Sequence, residues 1–473
     1  MTGRERGFLI GVIALGLAAV ALSRASQWLG GQLVPDGDEC IVALMAKHLA
    51  EGRDVSLFFW GQRYGLAIFE TGAAALAFRL FGVSDGALKG AMLLLWSAGY
   101  VFYVLAAHRW AGRRGAALAA AALAVFPGWA TLSMKAFGGP ITAFALTGVV
   151  LWLIAGATAA DAPAAPPPST PAARVGRMLL IGACGALISL AHPLWLLPMF
   201  AYVARLRDRG RFRQDVVAIG YAFLVVLVVG VVVPSPHRSG YWRPEVLSGI
   251  APGYALLHLP RNLWGATSGA FWMEDIMPMG AWIALAGILW IVAWIASAAL
   301  ALARPPARWL RTLTLAGALS IAVTLVIRSL PFQYRYLAPA AGPLVLAVAT
   351  AAAAALAPGR PRRALVAGGL AVLLIASGGA MRQFDRVPTS GMAIAPGVPV
   401  RDALGALVDR LRAEGVRHVY CTHAMMQWSI MWASHEQIIA RWFHPDDRVP
   451  EYPAAVERAR AAGERIAVVG AAD

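Results

Sequence analysis

The sequence predicts an all-α polytopic membrane protein of about eleven transmembrane helices, followed by a small C-terminal extracytoplasmic α/β domain. Three observations carry this. Hydrophobic residues are 59% of the 473, charged residues only 14%, and the mean hydropathy is +0.63. Soluble domains carry about 25% charge, so this chain lacks the polar surface to cover a water-facing globule. Apolar stretches recur along the chain up to residue 381, and from 382 onward it turns polar. The formal charge of +16 would suggest nucleic acid or an anionic surface in a soluble protein. In a membrane protein it first asks on which side the charges lie, and no nucleic-acid partner is expected. Three cysteines exclude a disulfide scaffold and any cysteine-rich metal or iron–sulfur site.

Stretches bounded by charge, Pro or Gly place spans near 8–29, 84–107, 115–133, 140–157, 178–190, 193–204, 214–233, 280–303, 309–328, 336–357 and 364–381. The pair 178–190 and 193–204 is short for a bilayer that needs about 20 residues. Meeting at His192-Pro193, the two are expected to form a tight or re-entrant hairpin. Arg4 and Arg6 precede the first apolar run as in a signal peptide, but its length favours an uncleaved anchor. The transmembrane domain thus covers 1–381, with outer loops at 30–83 and 234–279, and the small domain covers 382–473. Within the first loop, 65–82 is apolar but carries Glu70 and Arg79, so it reads as an interfacial helix. Residues 161–173 form a Pro/Ala linker. In the small domain, a helix ending in RLRAEG leads to strands VRHVYCT, QIIAR and RIAVVG, with a helix in YPAAVERARAAG.

The basic residues orient this set. Alternate connections hold Arg4 and Arg6, the groups at 109–114, 174–177, 205–213 and 304–311, and Arg360, Arg362 and Arg363. Together they carry eighteen of the 41 basic residues and only Glu5, Asp161, Asp208 and Asp215 of the 25 acids. By the positive-inside rule this side is cytoplasmic. The N-terminus then lies in the cytoplasm, the C-terminal domain lies outside, and a bacterial inner membrane is the expected location.

Twenty-one of the acids fall on the outer side, and three of them, Asp36, Asp38 and Glu39, stand within four residues just past the first span. Helix capping accounts for an acid at this point, because acids favour a helix N-terminus by roughly 0.3–1 kcal/mol. Capping needs one acid, and three suggest ligand binding or catalysis. A carboxylate held at a membrane surface suits a general base for a hydroxyl whose partner arrives on a lipid.

The run DECIVALMAKHLAEG (38–52), then FFWGQRYG (58–65) and Glu70, resembles the first outer loop of bacterial GT-C glycosyltransferases. These membrane enzymes are related to protein O-mannosyltransferases and the lipid A aminoarabinose transferase. FGVSDGALK (81–89) is similar to the family's entry into its second span, and QYRYLAP (333–339) to an element opening a late span. Tyr420, Glu436, Arg448 and Tyr452 resemble the small outer domain of some bacterial members. The resemblance implies transfer of a sugar from a polyprenyl-phosphate donor to a lipid, glycan or protein acceptor on the outer face, with inversion. It places the base on Asp38, with Glu39 assisting. Arg335, Lys135, Arg243 and His258 are the cations expected for the donor phosphate. Lys135 gains weight because lysine occurs three times in a chain that otherwise uses arginine. Gln62, Tyr64, Glu70 and Tyr336 are expected at the substrate. Where the family places a second acid, this chain reads MKAFGGP (134–140), which leaves Glu70 as the substitute.

His423, His435 and His444 lack zinc spacing, so no metal is expected there; no cofactor is indicated, and dependence on a divalent metal stays open. Cys40 and Cys421 both fall on the outer side, where pairing is allowed. Rival classes are a lipid or glycan flippase, which would show repeat halves and charges inside spans, a His192 acyltransferase, and a whole-glycan ligase or polymerase.

Overall fold

In lipid a segment must satisfy its own backbone hydrogen bonds, so apolar stretches of this length fold as helices. The computed structural model describes residues 2–29, 34–62, 65–158, 170–209, 211–233, 252–270, 280–303, 308–327, 334–359, 362–384, 400–444 and 447–470. The helices of the first part are α1 (Gly3–Leu29), α2 (Gly37–Ala50), α3 (Ile68–Phe81), α4 (Asp85–Val125), α5 (Pro140–Thr158), α6 (Pro171–Ala191) and α7 (Leu196–Ala204). They continue with α8 (Phe212–Val232), α9 (Pro252–Ser268), α10 (Ala281–Ala303), α11 (Arg308–Ile327), α12 (Ala338–Ala355) and α13 (Arg363–Phe384). Among the described residues, eight of these are long and apolar enough to cross a membrane: α1, α4, α5, α6, α8, α10, α12 and α13. The protein is a multi-pass membrane protein.

Helix α4 accounts for two of the expected spans. Gly112 takes φ 65°, ψ −160°, a conformation open to glycine, and the chain reverses there. The reversal is proved by Tyr100, whose hydroxyl donates to the Ala120 carbonyl at 3.0 Å. Twenty residues of straight helix would separate those groups by about 30 Å. The second limb ends at Val125, earlier than 133, in 3-10 turns at Pro127–Trp129 and Leu132–Met134.

The re-entrant hairpin expected at 178–204 is corrected. Thr170 caps a helix that begins at Pro171, inside the supposed linker, so α6 has 21 residues and is long and apolar enough to cross a membrane. After the break at His192, α7 carries the chain back toward the other end, where Arg205 lies over Trp309. Linker residues 159–169 lie outside the described residues.

The bundle has two chemically different ends. At one, Trp28 Nε1 donates to the Gly86 carbonyl (2.7 Å) and Gly65 N to the Leu190 carbonyl (2.9 Å). This end joins α1 to α2, α3 and α4, and α4 to α5. At the other, Arg113 lies 4.2 Å over Phe8, Arg109 4.2 Å over Trp152, and Trp110 stacks on Trp309 at 4.4 Å. Described members of the arginine set read from the sequence gather at this second end.

The C-terminal unit contains α14 (Val400–Ala413), β1 (His418–Cys421), α15 (Ala424–Ala433), β2 (Ile439–Trp442), α16 (Glu451–Ala461) and β3 (Ile466–Val469). Its parallel sheet has the order β2-β1-β3, with Val419 opposite Ala440 and Ala467. The expected strands and flanking helices are present, and α15 is additional. Its sequence AMMQWSIMWA has no polar face because it is buried between the sheet and α2. Trp428 meets Trp60 at 6.1 Å, and Trp432 stacks on Phe78 at 5.8 Å while donating to Asp85 at 2.8 Å. Cys40 and Cys421 are not paired. Both are free thiols, Cys40 facing Ser429 at 4.0 Å and Cys421 lying within β1.

Candidate functional site

Asp36, not Asp38, begins the first-loop helix. Its extended backbone (φ −78°, ψ 177°) makes it the N-cap of α2. Asp36 and Glu39 form a reciprocal capping box: Asp36 Oδ1 accepts from Glu39 N at 3.0 Å and Glu39 Oε2 from Asp36 N at 3.2 Å. Gly37 follows because a Cβ there would lie 2.6 Å from that of Met425 on α15.

Both capping acids also meet buried lysines. Lys135 Nζ lies 2.5 Å from Asp36 Oδ2 and 3.4 Å from Glu39 Oε2. Lys89, from the first turns of α4, pairs with Glu39 Oε1, which also accepts from Ala136 N at 3.2 Å. Glu39, Lys89 and Lys135 are buried. Burial would raise the Asp36 carboxyl, but the charge and hydrogen bond of Lys135 hold it below the usual range. Burial acts against the Lys135 ammonium as well, and Asp36 and Glu39 raise it nonetheless.

A third cation stands behind this pair. Arg24, buried in α1, donates to Ser133 Oγ (2.7 Å) and to the carbonyls of Ala124 (3.1 Å) and Trp129 (3.4 Å). It ties the segment that delivers Lys135 to the first span.

Asp38 sits in the first turn of α2 and differs from its neighbours. Its side chain keeps 26% exposure, and its charged partner is Arg448 of the C-terminal unit, at 3.9 Å. Arg448 lies 5.2 Å over the Phe59 ring and against Gly61, which has φ +73° and no room for a Cβ. The small unit therefore places a guanidinium beside the acid named from the sequence.

Glu70 is occupied elsewhere. Buried at the start of α3, it accepts from the backbone N–H groups of Gly138 (2.8 Å), Gly139 (2.9 Å), Ile141 (3.2 Å) and Thr142 (3.4 Å). It thus caps α5, as expected of a carboxylate at a helix N-terminus. Burial pushes its carboxyl up to about 7 against those four donors.

No protein-family model and no curated protein matches the sequence. Solved structures do. The chain superposes on ArnT from Cupriavidus metallidurans bound to undecaprenyl phosphate with TM-score 0.61 and 16% identity, covering 96% of this chain and 88% of that one. The apo state of the same protein gives 0.56. The Archaeoglobus fulgidus oligosaccharyltransferase complex with zinc and sulfate gives 0.52 at 12% identity, over 90% of this chain and 61% of that one. This chain has the GT-C fold.

Within that fold the residues named from the sequence fall into three groups. Asp38, Glu39 and Lys135 converge at the head of α2, but Lys135 is not turned outward as a phosphate ligand. It is buried as counter-ion to two acids. Glu70 is likewise a cap in place of an open substrate carboxylate. Gln62 is half-buried beside Gly65, Tyr336 lies 6.2 Å from His192 at the end of α6, and His258 is half-buried on α9. Arg243 and Tyr64 lie outside the described residues, as does the side chain of Arg335. Among the described residues no three His, Cys, Asp or Glu side chains converge to hold a metal. Asp36, Lys89, Arg24 and Arg448 are the site residues that the sequence reading did not assign a role. The scarcity of lysine is the signal that reaches one of them: Lys47, Lys89 and Lys135 each pair with an acid at this end of the bundle.

Proposed function

We propose that the chain is a membrane glycosyltransferase that moves a sugar, with inversion, from a polyprenyl-phosphate donor to a hydroxyl of a lipid, glycan or protein. The reading rests on one observation within the GT-C fold. Of three clustered acids, two are anchored by buried lysines, and the third, Asp38, stays at the edge beside Arg448. An acid locked to a lysine is a poor proton acceptor, whereas a partly exposed carboxylate at the membrane surface can take a hydroxyl proton. Asp38 is the proposed base, and Glu39 holds the helix start that aims it. Arg448, with Arg335, Arg243 and His258, is a candidate for the charge that forms on the departing lipid phosphate. ArnT bound to undecaprenyl phosphate supports a donor of that class. The arginine-bearing end would face the cytoplasm of a bacterial inner membrane, with the acids outside.

The test is to incubate the purified protein with a panel of polyprenyl-phosphate sugars and follow released lipid phosphate. Asp38→Asn is expected to cut release by about 10²–10⁴-fold, the usual contribution of a general base, with thermal unfolding unchanged. Full activity in that variant defeats the mechanism.

A further inference from the structure

A concavity of about 470 Å³ opens between the end of α1, the start of α4 and helices α14 and α15. Ligand sites occupy about 300–1,000 Å³. Trp28, Val34, Val83, Leu404 and Trp432 make the walls largely apolar, and Asp85, Lys89 and His435 place polar atoms among them. Leu29, also on the wall, is 76% exposed, and Phe81, two residues before Val83, is 78% exposed. These are surfaces of a span end and of the apolar first-loop helix α3, so the cleft adjoins lipid-facing surface. A ligand matched to it has an apolar chain and a polar head.

The charges choose the head. Lys89 is already paired with Glu39, and Asp85 sets a carboxylate on the same wall. An anion would meet that carboxylate with no surplus lysine or arginine among the described lining residues. Hydroxyls can donate to the carboxylate and exchange hydrogen bonds with the His435 ring. The backbone supports a dedicated use of His435. It and Glu436 are the two non-glycine residues with positive φ, 53° and 63°, among the described residues. Such conformations are strained for residues with a side chain and persist where surrounding structure over-determines them. Here Glu436 is held by Lys47 (2.6 Å) and His48 (2.8 Å), while the adjacent His435 lines the cleft.

We infer that this cleft binds the hydroxylated, sugar-like headgroup of a membrane lipid, as the acceptor side of the reaction proposed above. The acceptor role rests on the transferase reading, whereas occupancy of the cleft does not.

The experiment uses the full chain in lipid nanodiscs with dodecyl β-glucoside carrying a diazirine in its alkyl chain. Labelled peptides are mapped by mass spectrometry. Gly405→Phe fills the cleft, because a Cβ at 405 meets nothing within 4 Å. Label is expected on the peptides carrying Trp28 and Val83, to fall about tenfold in Gly405→Phe, an affinity loss of one decade, and to be displaced by unlabelled glucoside but not by dodecyl phosphate. Unchanged labelling in Gly405→Phe, with its thermal unfolding intact, overturns the proposal, and so does equal displacement by the phosphate. Asp38→Asn should label like wild type. A labelled cleft in a protein that releases no lipid phosphate from any donor removes the acceptor role and the transferase reading together, and leaves the headgroup site standing.

Discussion

Helices α2 and α3 have the same length, fourteen residues, and belong to the same loop, yet they live in different solvents. From Glu39 to Ala46, α2 is buried on every side. Helix α3 buries Glu70, Ala74 and Phe78 but turns Leu76, Leu80 and Phe81 outward, each at least 60% exposed. Neither helix is long enough to span a bilayer. What separates them is cover. Helix α15 and the Trp428–Tyr452 cluster close over α2, and lysines from two other segments neutralise its first turn. Helix α3 keeps one apolar side uncovered. The lesson is that hydrophobicity chose the neighbourhood, and distant partners decided which helix became interior.

The strongest way to break this difference is to remove the buried charge that makes α2 tolerable. Lys135→Ala leaves Asp36 and Glu39 without their shared partner. A loss of about 3–5 kcal/mol is expected, as for other broken buried pairs, read as a large drop in the unfolding midpoint in detergent. An unchanged midpoint would mean that the network does not hold the site. A sharper comparison places one truncation on each helix. Leu44→Ala on α2 should cost about 2–5 kcal/mol, and Leu80→Ala on α3 should stay within about 0.5 kcal/mol, both by denaturant unfolding in detergent. Equal costs would erase the distinction.

The smallest effect concerns the cover itself. Burial would raise the Glu436 carboxyl, but His48, Lys47 and Tyr452 hold it well below the ordinary 4.5. A carboxylate depressed on docking stabilises the docked state above pH 4.5 and loses that contribution as the pH falls below it. The protection factors of the α2 and α15 amides, with the intrinsic pH dependence of exchange divided out, should therefore fall on acidification below 4.5. In Glu436→Gln that pH dependence should be absent and exchange faster at neutral pH. A pH profile identical to wild type would show that another contact holds the cover.

Much of the membrane architecture was legible because span composition is a local property: each of the eleven apolar stretches holds helix among the described residues, and 65–82 holds α3 with Leu76, Leu80 and Phe81 turned outward. The α6 boundary was not legible, since Pro171 looks like linker yet suits the first turn of a helix capped by Thr170. At the site, the acid cluster and the rare lysine at 135 were visible, but their division of labour was not. Asp36 and Glu39 read as capping residues only once the helix start is known, and α15, polar only at Gln427 and Ser429, gives no amphipathic period. Arg24, Lys89 and Arg448 come from three separate segments, so no local pattern could have joined them.

The contact of Gly37 and Gly61 with the C-terminal unit has a consequence for biosynthesis. Lys47 meets Glu436 across 389 positions of chain, so the first loop is made and inserted long before its cover exists. During that interval α2 has neither α15 nor the Glu436 clamp, and its apolar side is open to chaperones and proteases. Synthesis halted before residue 424 would leave α2 without α15 over it and Lys47 without Glu436.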